Sequence, residues 1–268
     1  MAQPDFTSNY TDVNGLKMYY EIYGQGKPLV LIHGGGSTIE TSFGRIIPLL
    51  AKSRQVIGVE LQAHGHTNDR STPLSFQQDA DDIFALLKYL GIHKADFLGF
   101  SNGGQTAIEI ALRHPQMVNK LIIASAFYKR SAAPPQFWEG FDTATIDVMP
   151  QALKDGYLKA NNDEEGLLNM FRRDVERMKA FKGWTDEEIK SIKAPTLVIT
   201  ANNDVGSLEH ALEMYHVIPD CELAVFPGGH GTYLGAIESL KDGRLPAFNA
   251  ATLIDEFLEK EPEDISYS

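Results

Sequence analysis

The chain has one cysteine, Cys221, among its 268 residues, so no internal disulfide can form and the fold does not depend on an oxidising compartment. Positive charge is also scarce: 24 lysines and arginines face 36 aspartates and glutamates, a formal net charge of −12. So acidic a surface repels phosphate backbones and anionic headgroups, which sets aside nucleic acid and membrane surfaces as partners. No apolar run approaches the roughly 18–20 residues that a bilayer-spanning helix requires. Met1–Tyr10 has neither the basic nor the apolar stretch of a signal peptide, so the expected location is cytoplasmic. Internal repeats and low-complexity tracts are missing too. What remains, 43% hydrophobic and 22% charged residues, is an ordinary globular composition, long enough for one large domain or one domain with an insertion.

Residues 10–23 read as a hairpin around Asn14-Gly15, a pair favoured in type I′ turns. Six short apolar runs follow, at residues 28–32, 56–61, 96–100, 121–125, 196–200 and 223–226. Their apolarity is continuous rather than alternating, which predicts strands buried on both faces, as in a parallel sheet. Helical patterns lie between them. One opens at Ser75, paired with Gln78 as a capping box, and runs through Leu90; others cover Asn102–His114 and Ala247–Lys260, and Thr185 with Glu188 caps a short one. The alternation predicts a doubly wound α/β sheet. Residues 131–193 break it with Pro134-Pro135, several aromatics, helical stretches at Gln151–Leu158 and Glu164–Phe181, and no strand run. They read as a helical insertion that divides a core of residues 1–130 and 194–268.

Four features carry chemistry. Gly99-Phe100-Ser101-Asn102-Gly103 is a G-x-S-x-G directly after a strand run and directly before a helical pattern. A nucleophilic serine on so sharp a turn needs neighbours without side chains, and the following helix N-terminus aims N–H groups at a developing oxyanion. His33-Gly34-Gly35-Gly36 follows the 28–32 run; a glycine-rich loop lets backbone N–H groups approach a bound oxygen, and the absence of G-K-[ST] or G-x-G-x-x-G disfavours a nucleotide loop. Asp204 follows the 196–200 run and His230 the 223–226 run, both where open α/β sheets place their sites. Each alone reads as a solvated loop residue; the joint order Ser, Asp, His after three strands does not.

On these motifs the chain resembles the α/β-hydrolase superfamily, from the hairpin near residue 10 to the helix ending near Lys260. The resemblance implies the α/β-hydrolase fold: an eight-stranded, mostly parallel sheet flanked by helices, with a helical cap inserted after the sixth strand. It implies Ser101 as nucleophile, His230 as general base and acid, Asp204 as the residue orienting His230, and the N–H groups of Asn102 and Gly35 as oxyanion hole, with Gly36 as an alternative to Gly35. The expected activity is hydrolysis of a carboxylic ester or related small-molecule acyl compound, without cofactor or metal. C–C bond hydrolysis of a diketone-like acid, amide or lactone hydrolysis, perhydrolysis, and ligand binding without catalysis are the alternatives. The chain departs from many members at Asn102, at Glu60–Thr67 and at Ser37-Thr38.

Phe100, Phe137, Trp138 and Phe141 are candidate pocket-lining residues, an ordinary core being the other reading of the last three. His64 and His66 lack a third metal ligand by spacing, so packing and hydrogen bonding are the favoured roles. Arg172, Arg173 and Arg177 form a basic patch that reads as a solvated helix face, attraction of an anionic substrate being the other reading.

Overall fold

The computed structural model describes residues 5–241, 243–248 and 250–261. Eight strands form one sheet in the order β1-β2-β4-β3-β5-β6-β7-β8. β1 (Phe6–Val13) and β2 (Leu16–Tyr23) are the expected antiparallel hairpin. At its tip Asn14 and Gly15 have φ of 48° and 78°, the doubly positive pair of a type I′ turn. β2 runs antiparallel to β4 (Arg54–Val59). From there β4, β3 (Lys27–Ile32), β5 (Ala95–Phe100), β6 (Val118–Ala124), β7 (Thr196–Asn203) and β8 (Cys221–Gly229) pair in parallel. This is the eight-stranded, mostly parallel sheet that the motifs imply.

The strand runs are continuous because both faces are covered. In β3, Val30 and Ile32 pack on one face with Ile83, Ile108 and Met214, while Leu29 and Leu31 pack on the other with Phe43, Leu50 and Ile254. The second layer holds α1 (Ile39–Phe43), α2 (Ile47–Leu50) and α10 (Ala250–Glu259); the first holds α3 (Phe76–Tyr89), α4 (Asn102–Arg113) and α9 (Leu208–Val217). α3 begins as expected at Ser75, whose Oγ accepts the Gln78 N–H at 3.1 Å. Only half of the capping box forms, because the Gln78 side chain donates to Asp82 at 2.9 Å instead of returning to the cap. α10 begins at Ala250 rather than Ala247. The sequence pattern gives no sign of α9: Ala211 and Met214 are buried but Leu208, Leu212 and Tyr215 are exposed, so no single apolar stripe marks the helix.

Between β6 and β7 the described residues form only helices, chiefly α5 (Pro135–Gly140), α6 (Gln151–Ala160), α7 (Glu164–Ala180) and α8 (Asp186–Lys190). Two apolar clusters fasten this segment to the sheet domain. One joins Leu153, Tyr157, Leu167 and Met170 to Ala63 after β4. The other joins Trp138, Met178 and Phe181 to Phe76 of α3 and Phe127 after β6.

Candidate active site

The loops at the C-terminal ends of β3, β5, β6, β7 and β8 meet under this helical segment. Ser101 is the residue between β5 and α4, with φ 53° and ψ −125°. A residue with a Cβ is strained there, and the surroundings hold it. A Cβ on Gly99 would lie 2.1 Å from the Gly103 carbonyl oxygen, and one on Gly103 would lie 2.1 Å from the Ile32 oxygen. Glycine at both positions lets α4 come down onto β3 and β5 so closely that the serine stands at the apex of the turn.

His230, after β8, donates from Nδ1 to Asp204 Oδ1 at 2.6 Å. Asp204 accepts further bonds from Val205 N–H at 2.8 Å and Ala201 N–H at 3.2 Å, and from the Ser125 hydroxyl at 2.5 Å. Burial opposes its charge, but these donors and the imidazole hold its carboxyl down at about 2. Burial likewise opposes charge on His230, yet the Asp204 bond and charge, with the charge of Glu238, raise its pKa above 6.5. Ser125 also bonds the hydroxyl of buried Tyr233 at 2.7 Å. Ser101 and His230 line one cavity.

The β3 loop is pinned by His33, which burial and the neighbouring His64 hold neutral, its pKa pushed down to about 3. His33 Nδ1 donates to the Gly34 oxygen at 2.7 Å, and its Nε2 accepts the Leu61 N–H at 3.1 Å. Gly36 N–H is already used: it donates to Asp174 Oδ2 on α7 at 2.6 Å. Among the described residues the N–H groups of Gly35 and Asn102 have no hydrogen-bond partner, and both residues line the cavity. Of the two glycines the sequence left open, Gly35 is therefore the one with a free donor.

Asp174 is balanced by two cations. His64 lies between the Gln62 carbonyl, 2.9 Å from Nδ1, and Asp174 Oδ2, 3.0 Å from Nε2. Both partners can only accept, which favours a proton on each ring nitrogen, and the Gly36 N–H also approaches Nε2, at 3.3 Å. Accordingly its pKa is raised, Asp174 outweighing the cost of burial. Arg177 donates to Asp174 Oδ1 and, at 2.9 Å, to Asp79 Oδ2. Burial alone would raise Asp174, but Arg177, His64 and the Gly36 N–H hold it well below the usual carboxylate range. Burial wins at Asp79, pushed up to about 6 despite Arg177. Arg177→Met leaves buried Asp79 without its partner and Asp174 with only His64 and the Gly36 N–H, so an unfolding free energy lower by about 3 kcal/mol is expected. A urea midpoint unchanged from the native chain would mean that this buried pair holds nothing together.

The cavity, about 260 Å³, is walled mostly by apolar side chains of the β6–β7 segment, Phe137 and Phe141 among them. Phe100 and Trp138 do not line it, contrary to expectation. Phe100 is fully buried beneath His230, ring centres 4.8 Å apart. Trp138 stacks on Phe181 and donates to the Arg130 carbonyl at 2.8 Å, anchoring the segment instead. The arginine face is corrected in part: Arg172 is exposed as expected, but Arg177 is buried and Arg173 donates to the Thr72 and Arg70 carbonyls. His66 bonds Glu60, and no group of residues able to hold a metal ion is found among the described residues. The sequence reading missed Gln105, Ser125, Phe127 and Asp174, all on the cavity wall. Gln105 was detectable, standing one helical turn after Ser101 and so on the same face. The others arrive through tertiary contacts.

A family model described as the α/β-hydrolase fold matches residues 27–148. The chain is 30% identical over 119 residues to the pyrrolizixenacetamide deacetylase of Xenorhabdus hominickii, covering 44% of this chain and 45% of that one. It is 34% identical over 113 residues to the 2-hydroxymuconate semialdehyde hydrolase of Pseudomonas sp. strain CF600, covering 41% and 40%. The chain thus spans less than half the length of these two relatives. In three dimensions it is similar to the meta-cleavage product hydrolase CumD of Pseudomonas fluorescens IP01, with a TM-score of 0.75 at 24% identity over 93% of this chain and 97% of that one. That likeness bears on the fold alone.

Proposed function

The chain belongs to the α/β-hydrolase superfamily, and from that premise we propose that it is a serine hydrolase cleaving a small, uncharged carboxylic ester or related acyl compound. The observation that carries the reading is one cavity bounded by a serine held at φ 53° and by a histidine bonded at 2.6 Å to an ionised aspartate. The carboxylate only accepts, so the His230 Nδ1 bears the proton and Nε2 is left basic. His230 then takes the Ser101 proton as Oγ attacks the acyl carbon. Charge gathers on the carbonyl oxygen, and the free N–H groups of Gly35 and Asn102 receive it. Each such donor is typically worth about 3–4 kcal/mol in the transition state. The proton on His230 passes to the leaving alcohol, and water activated by the same imidazole releases the acid.

Among the described residues the lining has one carboxylate, already balanced, and no lysine or arginine. A substrate carboxylate would find no counter-charge there, which favours an uncharged ester over the diketone-like acid of a C–C hydrolase. Turnover of p-nitrophenyl butyrate together with fluorophosphonate labelling of Ser101 tests the reading. A folded sample that shows neither refutes it.

Because His230 must be neutral to act as base, and its pKa is raised above 6.5, kcat/KM is expected to climb with pH through a midpoint above 6.5. A flat profile between about pH 5 and 8 would remove the imidazole from the role of base.

A further inference from the structure

We propose that Gln105 is the polar subsite of this cavity and selects an acyl group that carries an uncharged hydrogen-bonding function, an amide best of all, within about one helical turn of the scissile carbonyl. The proposal rests on the hydrolase reading above. Gln105 is 1% exposed, stands on α4 one turn beyond Ser101, and lines the same cavity. Its Oε1 is buried without a partner, and among the described residues no hydrogen bond involves its side chain. Buried polar groups are nearly always paired, and a leucine or methionine would fill the space without leaving a carboxamide unpaired. The wall of the cavity is mostly apolar, with Phe127, Val175 and Met178 among its residues. Asp174, the polar residue that the helical segment brings to the cavity wall, already receives Gly36, His64 and Arg177.

A carboxamide offers one donor group and one acceptor, and rotation of its end exchanges them. An amide in the substrate can pair with both, a hydroxyl or ketone with one. Binding such a group converts the unpaired amide into a satisfied one, whereas an alkyl chain leaves it stranded. That asymmetry makes hydrogen-bonding sites strongly selective.

The test compares the p-nitrophenyl esters of N-acetylglycine and pentanoic acid, which have acyl chains of equal length, each rate divided by the ester's rate with hydroxide. The native chain is expected to prefer the N-acetylglycine ester by about tenfold or more in corrected kcat/KM. Gln105→Met is expected to lower that ratio by about the same factor, whatever it does to either rate alone. Equal corrected rates in the native chain overturn the subsite and leave the hydrolase reading standing, a result that needs no variant. A preference that survives Gln105→Met also overturns it. If neither ester is turned over and Ser101 is not labelled, the hydrolase reading falls and the subsite with it.

Discussion

Ser101→Ala is expected to lower kcat for p-nitrophenyl butyrate by about 10³-fold or more, and to abolish fluorophosphonate labelling. The effect isolates chemistry from folding. Alanine keeps the Cβ, so the backbone strain at φ 53° is the same in both chains. Among the described residues the Ser101 hydroxyl makes no hydrogen bond that the substitution could remove. The glycines that allow the turn, Gly99 and Gly103, are untouched, and Gly35 and Asn102, whose N–H groups are free among the described residues, still line the cavity. Thermal melting is therefore expected to be unchanged while covalent catalysis disappears. What survives is whatever the cavity and the oxyanion donors contribute by holding substrate against water. A rate within tenfold of the native chain would mean that another group attacks the carbonyl.

The sheet was legible because its evidence is local. Leu29, Val30, Leu31 and Ile32 are consecutive and apolar only because alternate residues enter opposite cores, and Asn14-Gly15 can form only a narrow set of turns. The same holds for the serine, whose turn is written in five adjacent residues. Asp174 shows where local evidence stops. It stands three residues before Arg177, and in sequence the pair looks like ordinary solvated helix charge. Its meaning comes from the loop after β3, which brings Gly36, and the loop after β4, which brings His64. Neither contact leaves a periodic trace. Trp138 fails in the opposite sense: an aromatic beside the cavity was legible, but Phe181 and the Arg130 carbonyl decide which way it is held, and they turn it into an anchor. Helical periodicity identifies the buried face of an element without naming what will cover it.

Asp204→Asn is expected to cost about 10³–10⁴ in kcat, more than loss of a single hydrogen bond would suggest. The native carboxylate receives donors at both oxygens. Oδ1 takes His230 Nδ1 and the Val205 N–H, and Oδ2 takes the Ala201 N–H and the Ser125 hydroxyl. Two of these donors are backbone groups that cannot turn away. An asparagine has one accepting oxygen, so in either orientation its NH₂ faces a backbone N–H. With the NH₂ at the His230 side, Nδ1 must accept and the proton moves to Nε2, leaving no base for Ser101. With the NH₂ at the other side, Nδ1 keeps its proton but the imidazolium loses its charged partner, and the Ala201 N–H is stranded. The pKa of His230, now raised by Asp204, is expected to fall, so whatever activity remains should titrate at lower pH than in the native chain. That direction separates loss of the orienting charge from simple misfolding, which would lower the rate at every pH alike. A variant retaining more than about a tenth of native kcat, with an unshifted profile, would show that Asp204 does not act through His230.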